Sequence, residues 1–281
     1  MTADPRAFGV LLRRWRERRR LTQTDLALAA NSSTRHLSYL ETGKSQPSRA
    51  MITRLAELLE VPLRDRNALL LAAGFAPAYR ETSIDAMDAA KAAMDQILRA
   101  HLPFPAFAVD RHWNVALSNG ALPQLYEGCG EALLAPPINA MRLMLHPEGM
   151  GPRVLNFSAW RAYSLSVLRQ QIEARADPKL QALHAELAAY PVPPGTGDTA
   201  GFADAERLAT PLRLTTRFGT LSFLNTVTVF GTASDITLAE LALEMLFPAD
   251  DQTIEIVNLM ELERTGQAPL PAPAKAAANR L

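Results

Sequence analysis

The sequence predicts two unlike domains. Residues 1–80 are expected to form an all-α domain, and residues 81–265 an α+β domain in which helices flank a small antiparallel sheet. Three observations predict this division. Apolar residues recur at helical spacing throughout residues 7–78, whereas residues 104–119 and 207–231 are rich in β-branched and aromatic residues around turns. The charge also differs, since the first part is basic and the second is acidic.

The basic charge is concentrated in the first eighty residues. Residues 1–80 contain 14 Lys and Arg against 7 Asp and Glu, a net charge of +7, although the 281-residue chain as a whole is neutral. The remaining residues therefore carry a net charge of −7. This asymmetry favours contact of the first domain alone with a polyanion, and a merely solvated charged surface is the alternative.

The composition is typical of a globular protein. With 48% hydrophobic and 21% charged residues, the chain can form a packed core. Cys129 is the only cysteine, which excludes an internal disulfide and a multi-cysteine metal site, so we expect a reducing cytosol. No stretch has the character of a membrane span and no leader opens the chain, so we expect neither a membrane partner nor export.

Five short helices are predicted in the first domain, at residues 7–19, 22–30, 33–43, 47–59 and 67–73. Thr22 and Asp25 have the spacing of a capping box, but Asp replaces the usual Glu or Gln, so the reciprocal bond is left open. Ser33 can cap the third helix, and Gly43 can end it in the left-handed region. The expected inner faces comprise Phe8, Leu11, Leu12, Trp15, Leu26, Ala29, Ala30, Leu37, Leu40, Ile52, Leu55, Ala56 and Leu59.

The second domain is predicted to alternate between helices and strands. A helix at residues 86–100 precedes two short strands within residues 104–119, which surround a turn near residues 110–113. Helices follow through residues 119–190, and a Pro/Gly loop covers residues 191–201. A hairpin is predicted at residues 207–231. Helix is predicted at residues 238–247 and again from residue 251, and the tail from residue 266 is expected to be disordered.

The second and third helices have the pattern of a helix-turn-helix. They are joined by the segment AANSS, and the third ends in LSYLETGKSQPS. A tight turn, apolar inner faces and polar residues at the start of the second helix of the motif suit insertion into a DNA major groove. Residues 7–75 resemble the Cro/C1-type (XRE) DNA-binding domain, with matching positions at Gln23, Leu26, Ala27, Ser33, Leu37, Ser38, Leu40, Glu41, Gly43, Pro47 and Ser48. Asn31 stands where glycine is frequent, and Asn tolerates the same conformation.

The resemblance implies roles in reading DNA for the third helix. Thr34, Arg35 and Tyr39 fall where the family contacts base edges, and His36 and Ser38 lie beside them. Arg35 can form two hydrogen bonds with guanine, a contact worth roughly 1–3 kcal/mol of discrimination. The alternatives are an ordinary surface arginine at Arg35 and partial packing of Tyr39.

The resemblance also implies phosphate contacts, which position the protein without specifying sequence. The expected phosphate partners are Gln23, Lys44 and Arg13 or Arg14. Only one or two arginines of the run RRWRERRR are expected to reach DNA, and the others can form a solvated face. Glu41 is expected to pair inside the protein, because phosphate would repel its carboxylate.

Longer motifs in the second domain resemble the MmyB-like ligand-binding domain. The predicted order of helices and strands is also reminiscent of a PAS domain. The motifs are YRE at residues 79–81, FPAFAVDRHWNV at 104–115, MRLMLHPEGM at 141–150, FSAWR at 157–161, LRLTTRFGTLSF at 212–223 and TVFGTASDITLAELALEMLFPAD at 228–250. The resemblance implies a transcription regulator whose second domain holds a small molecule, such as a fatty acid or a similar acyl compound. No metal or other cofactor is expected.

Six residues are candidate ligand contacts. Arg142 and His146 share a helix face if the helix continues to the residue before Pro147, and Arg142 would then bind a carboxylate head group. The alternatives are a salt bridge for Arg142 and a structural role for His146. The remaining candidates, for which ordinary core packing is the alternative, are Asn156, Trp160, Phe107 and Phe223.

No catalytic pattern accompanies these motifs. The sequence has no nucleophile elbow, no phosphate-binding loop and no metal-spaced histidine pair, so we expect a regulator and not an enzyme. We expect a homodimer that binds two half-sites on double-stranded DNA, about 34–36 Å apart or a multiple of that distance. A second domain that serves only dimerisation or protein docking remains the alternative to a ligand sensor.

Overall fold

The computed structural model describes residues 5–175, 177–194, 210–231 and 233–267. The contacts between Cα atoms divide the chain into two compact units. The first unit comprises residues 1–92, 169–181 and 229–241, and the second comprises residues 93–168, 182–228 and 242–281. Two short segments from the later part of the chain thus pack with the amino-terminal helices.

The first unit begins with the five predicted helices, which are confirmed. They are α1 (Pro5–Arg18), α2 (Gln23–Ala29), α3 (Thr34–Glu41), α4 (Arg49–Leu58) and α5 (Leu63–Ala72). The capping box is complete, since the Thr22 hydroxyl accepts from Asp25 N and the Asp25 carboxylate accepts from Thr22 N. Ser33 caps α3 as predicted, and Gly43 adopts a φ of +72° directly after it.

The inner faces of these helices form one hydrophobic core. All the residues predicted for it are buried except Leu11, which is half-buried, and Ala29, which is exposed. Burial of Ala29 is therefore a wrong prediction. Helix α2 presents Leu26, Ala27 and Ala30 to the core, and Ala29 is rotated from Ala30 by about 100° around the helix axis.

A short helix from late in the chain completes the first unit. Helix α11 (Ile236–Glu240) is capped by Asp235, whose carboxylate accepts from Thr237 N at 2.9 Å. The same carboxylate accepts from the Thr82 hydroxyl at 2.7 Å, and Ile236 N donates to the carbonyl of Arg80 at 2.8 Å. These bonds fasten α11 to the segment that directly follows the amino-terminal helices.

The second unit is built on a five-stranded antiparallel sheet. The strands are β1 (Ala106–Val109), β2 (Val115–Ser118), β3 (Leu212–Thr216), β4 (Gly219–Val229) and β5 (Ala242–Pro248), in the order β2-β1-β5-β4-β3. The two predicted strands at residues 104–119 and the predicted hairpin are confirmed, and the hairpin turns at residues 217–218. On β1, Phe107 lies opposite both Ser118 of β2 and Glu244 of β5.

The predicted helix at residues 238–247 is wrong. Helix α11 ends at Glu240, and β5 then occupies the centre of the sheet. Leu243, Glu244 and Leu246 are all buried. A central strand is covered on both faces, so its sequence lacks the strict alternation by which a half-exposed strand is recognised.

Helices complete the second unit. They are α6 (Asp88–Ala100), α7 (Glu131–Leu134), α8 (Ala140–Leu145), α9 (Phe157–Arg175), α10 (Pro178–Ala189) and α12 (Asp251–Thr265), of which α6, α9 and α10 lie partly in the first unit. Most of the predicted Pro/Gly loop and nearly all of the predicted tail lie outside the described residues. Within the described part of the chain, no helix is long and apolar enough to cross a membrane.

Candidate functional site

Helix α3 has a buried face and a polar outer face. Leu37, Leu40 and Glu41 point into the core. On the outer side, Thr34 and Arg35 are exposed. The other three residues predicted to lie near bases, His36, Ser38 and Tyr39, are half-buried. The structure therefore brings these five predicted residues together on one accessible helix.

Two cations lie over one aromatic ring on this outer face. The guanidinium carbon of Arg35 is 5.4 Å from the Tyr39 ring centroid, and Arg35 Nε donates to the Tyr39 hydroxyl at 3.0 Å. Lys44 Nζ is 5.9 Å from the same centroid. Lys44 N also donates to the Tyr39 carbonyl at 2.8 Å, which fixes the chain just beyond the helix. Tyr39 thus has two positive charges near its ring, while the remaining N–H groups of Arg35 can face a ligand.

Glu41 pairs inside the protein, as predicted. Its carboxylate accepts from Arg16 Nε at 2.6 Å and from a terminal nitrogen of Arg16 at 3.0 Å. The hydrogen bond to Glu41 raises the pKa of Arg16. Gln23, predicted to contact phosphate, donates to the same carboxylate at 2.9 Å. One N–H of the Gln23 amide is therefore engaged inside the protein, and the second N–H remains to donate to a phosphate.

The other arginines of the run RRWRERRR differ in how far they are packed against the protein. Arg18 and Arg19 lie over the Trp15 ring, at 5.0 and 5.8 Å from its centroid. Arg13 is exposed and pairs with Glu17 at 2.7 Å, and Arg14 is exposed on the same helix. Arg20 is exposed as well, so three arginines of the run are exposed, and the number that reach DNA stays a prediction.

Arg64 of α5 joins three segments of the first unit. Its guanidinium donates to both Glu240 carboxylate oxygens of α11, at 3.0 and 2.9 Å. It also donates to both oxygens of Glu81, at 2.8 and 2.5 Å. The hydrogen bonds to Glu240, and then those to Glu81, raise the pKa of Arg64. The sequence analysis missed this residue, because residues 176 positions apart leave no local signal.

Arg142 does not present a free guanidinium. Its Nε donates to Glu186 of α10 at 2.6 Å and a terminal nitrogen donates to the second oxygen at 2.8 Å, which is the predicted alternative of a salt bridge. The hydrogen bonds from Arg142 lower the pKa of Glu186. Burial raises the pKa of Tyr190, which also bonds to Glu186, to about 12.

His146 does not share a helix face with Arg142. Helix α8 ends at Leu145, and His146 leaves the helix with a ψ of 144° before Pro147, so the condition on that prediction is not met. Its ring packs edge-on against Tyr190 at 4.9 Å, and its Nδ1 accepts from Glu148 N at 3.0 Å. These contacts give His146 the structural role that was the alternative.

The four remaining predicted ligand contacts lie in β1, in β4 and around the start of α9. Asn156 donates to the Pro211 carbonyl at 2.7 Å and accepts from Arg213 N at 3.1 Å, so its amide anchors the start of β3. Trp160 is 6% exposed and Phe223 is fully buried. Phe107 is half-buried.

A buried polar group that the sequence analysis missed lies beside these aromatic residues. Glu244 of β5 is 2% exposed and accepts from Asn225 Nδ2 of β4 at 2.6 Å. Burial raises the pKa of Glu244. Tyr163 of α9 lies close enough that the charge of Glu244 raises its pKa, after the larger effect of burial, while a hydrogen bond from Asn225 lowers it. We refer to Glu244, Asn225 and Tyr163 as the Glu244 cluster.

A separate surface cavity of about 300 Å³ lies near the hairpin turn. Its lining residues are Pro123, Gln124, Glu127, Arg217, Phe218, Met260, Glu263 and Arg264. None of the predicted ligand contacts belongs to it. Arg217 is bonded across it to Glu127 at 3.1 Å and to Glu263. Among the described residues, no group of His, Cys, Asp and Glu could hold a metal ion.

Comparison with solved structures gives short matches. The chain is 27% identical to the clp gene regulator ClgR from C. glutamicum, over 26% of this chain and 92% of that one, with a TM-score of 0.23. A second structure of ClgR from Corynebacterium glutamicum is 25% identical over 35% of this chain and 94% of that one, with a TM-score of 0.22. No curated protein matches the chain.

Two family models match the sequence in the predicted order. Residues 7–69 match a helix-turn-helix domain. Residues 90–260, more than half of the chain, match the MmyB-like transcription regulator ligand binding domain. The chain therefore belongs to the MmyB-like family of helix-turn-helix transcription regulators, and it is a regulator and not an enzyme.

Proposed function

We propose that the protein binds a specific DNA sequence through α3 and that a small apolar or acyl-chain ligand in the second domain modulates this binding. We further propose a homodimer, a PAS-like architecture for the second domain and a location in the reducing cytosol. The observation that carries the DNA-binding part is the outer face of α3, where Tyr39 holds Arg35 and Lys44 on an exposed surface.

The proposed roles follow from what each side chain can offer. Arg35 has one nitrogen bonded to Tyr39, and its terminal nitrogens can reach guanine as a pair, aided by the neighbours Thr34, His36 and Ser38. Lys44 is a point charge just beyond α3 and suits a phosphate. Arg13, Arg14 and Gln23 are proposed as further phosphate contacts, and Gln23 can donate through the amide N–H that Glu41 does not use.

The proposal is tested with selected DNA and two variants. Arg35→Ala is expected to relax base preference at one operator position, with about a tenfold loss of discrimination. Lys44→Ala is expected to weaken binding to all sequences and to reduce the slope of binding against salt by about one. Arg54→Ala, which removes an exposed arginine of α4, is the control and should change neither property. An unchanged selected sequence in Arg35→Ala would refute its role.

We propose that Arg64 couples ligand binding in the second domain to DNA binding by the first. Glu240, which Arg64 holds, is the last residue of α11, and β5 begins two residues later. A shift of β5 caused by a ligand would therefore alter the contact between α11 and α5. A ligand can act in this way only through different affinities for the two arrangements.

Native mass spectrometry of the purified full-length protein tests the sensor role. An apolar molecule bound at about one per subunit, whose removal changes DNA affinity, is the expected result. A ligand-free dimer whose DNA affinity does not respond to added acyl compounds would favour the alternative, in which the second domain serves only dimerisation or docking.

A further inference from the structure

The guanidinium of Arg35 is oriented by Tyr39, which lies four residues later on α3. Side chains at this spacing are neighbours on a helix surface. Arg35 Nε donates to the Tyr39 hydroxyl at 3.0 Å, and the guanidinium carbon is 5.4 Å from the centre of the ring. Arg35 is exposed, so the contact orders a long side chain that solvent would otherwise leave in several rotamers.

Tyr39 is itself held in place by the fold. Its ring is half-buried, and its helical neighbours Leu37 and Leu40 are buried in the core. Its carbonyl accepts from Lys44 N at 2.8 Å and from Ser45 N at 3.2 Å, which fixes the chain after the helix. Tyr39 therefore provides a fixed support for the side chain of Arg35.

The bond to Tyr39 limits how Arg35 can present its donors. A guanidinium offers two parallel N–H groups either from its two terminal nitrogens or from Nε and one terminal nitrogen. Because the Nε–H is bonded to Tyr39, the terminal pair remains for a ligand. Guanine presents two neighbouring acceptors, N7 and O6, in the major groove, and the other three bases do not. The terminal pair therefore matches guanine.

We propose that Tyr39 is a positioning residue for base recognition, which aims the terminal N–H pair of Arg35 at a guanine and does not itself read a base. This inference rests on the proposed DNA-binding function of α3 and assigns part of its sequence specificity to a second residue. Ordering Arg35 in advance lowers the entropy that it loses on binding. It also disfavours arrangements in which a mobile arginine contacts a phosphate or another base. The benefit is therefore in discrimination between bases and not in general affinity for DNA.

Tyr39→Phe tests this role because it removes the hydroxyl and keeps the ring. Fluorescence anisotropy measures binding of the full-length protein to the selected operator and to one in which the guanine assigned to Arg35 is replaced by adenine. Tyr39→Phe should lose about threefold in discrimination between these two DNAs, as expected for one hydrogen bond. The dependence of binding on salt should not change, because this variant retains Lys44 and the aromatic ring beside it.

Tyr79→Phe is the matched control. The Tyr79 hydroxyl accepts from a terminal nitrogen of Arg66 at 3.4 Å, and the Arg66 guanidinium carbon is 5.9 Å from the Tyr79 ring centroid. This pair of the same two residue types also lies in the first unit, but outside α3. Tyr79→Phe should therefore leave discrimination unchanged, and circular dichroism confirms that both variants are folded.

A double-mutant cycle separates positioning from direct contact with a base. If Tyr39 acts through Arg35, Tyr39→Phe should cause no further loss of discrimination in a protein that already carries Arg35→Ala. If the Tyr39 hydroxyl contacts a base itself, the loss should be the same with and without Arg35→Ala. Tyr39→Leu, which also removes the ring beside Lys44, should weaken binding to both DNAs as well as reduce discrimination.

Two results would overturn the inference. One is unchanged discrimination in Tyr39→Phe, and the other is an equal loss with and without Arg35→Ala. If Arg35→Ala relaxes base preference and Tyr39→Phe does not, the positioning role is wrong while the proposed DNA-binding function stands. If Arg35→Ala leaves the selected sequence unchanged, the proposed role of Arg35 and the positioning role of Tyr39 both fail.

Discussion

The buried ion pair between Arg16 and Glu41 is predicted to stabilise the helix-turn-helix strongly. The two side chains are 10% and 3% exposed, and two hydrogen bonds of 2.6 and 3.0 Å join them. Glu41→Ala removes the carboxylate and leaves the Arg16 charge buried with its bond to the Leu21 carbonyl. Breaking a buried pair in this way costs about 3–5 kcal/mol.

An exposed ion pair within α1 provides the control. Arg13 and Glu17 are 64% and 52% exposed and 2.7 Å apart, so Glu17→Ala should cost less than about 1 kcal/mol. Urea unfolding followed by far-UV circular dichroism measures both losses. A loss of 3 kcal/mol also lowers the Tm of a domain of 60–100 residues by roughly 12–24 °C.

The double replacement Arg16→Met with Glu41→Leu distinguishes an unpaired charge from lost packing. It removes both charges, so it should recover most of the stability that Glu41→Ala loses. DNA affinity at low temperature should be retained in all three variants, because Arg16 and Glu41 face the core. A loss in Glu41→Ala no larger than that in Glu17→Ala would refute this reasoning.

Two further predictions concern Arg64 and the buried carboxyl group of Glu244. Arg64→Ala removes the bonds to Glu81 and Glu240. The DNA affinity should then stop responding to ligand, while the affinity without ligand stays within about twofold. DNA affinity is measured by fluorescence anisotropy, and a retained response to ligand would exclude coupling through Arg64. Because burial raises the pKa of Glu244, its stabilising contribution is present below the ordinary glutamate value and is lost as pH rises through the folded value. Glu244→Gln should therefore be more stable than the parent at pH 8, with a smaller difference at pH 4 in urea unfolding; Tyr163 and Asn225 face this group in both proteins.

The local signals of the first domain were sufficient to predict its helices. Ser33 and Gly43 bound α3 as their side-chain chemistry requires, and Thr22 with Asp25 completes a capping box despite the shorter acid. These signals act within four residues, so the sequence displays them directly. Burial of Ala29 was the error, since rotation of a seven-residue helix depends on its neighbours.

The second domain was harder to predict from the sequence, because its central strand β5 pairs with strands that are distant in the chain. Residues 242–248 contain good helix formers, including Leu, Glu and Met, and they form a strand because β1 and β4 lie on either side. The same dependence hid the Glu244 cluster, whose members come from α9, β4 and β5. A single charge inside the apolar run LALEMLF was the available signal. A helical assignment places that charge on an outer face, so the signal was overlooked.

The two buried glutamates differ in how their burial is compensated. Glu41 receives two bonds from Arg16 and one from Gln23, so its burial is compensated within the fold. Glu244 receives one bond from a neutral amide, and the oxygen of that amide is itself unsatisfied. Both carboxyl groups are buried, and among the described residues only Glu41 has a cation beside it. The Glu244 carboxyl is therefore the more costly of the two to keep ionised, in agreement with its raised pKa.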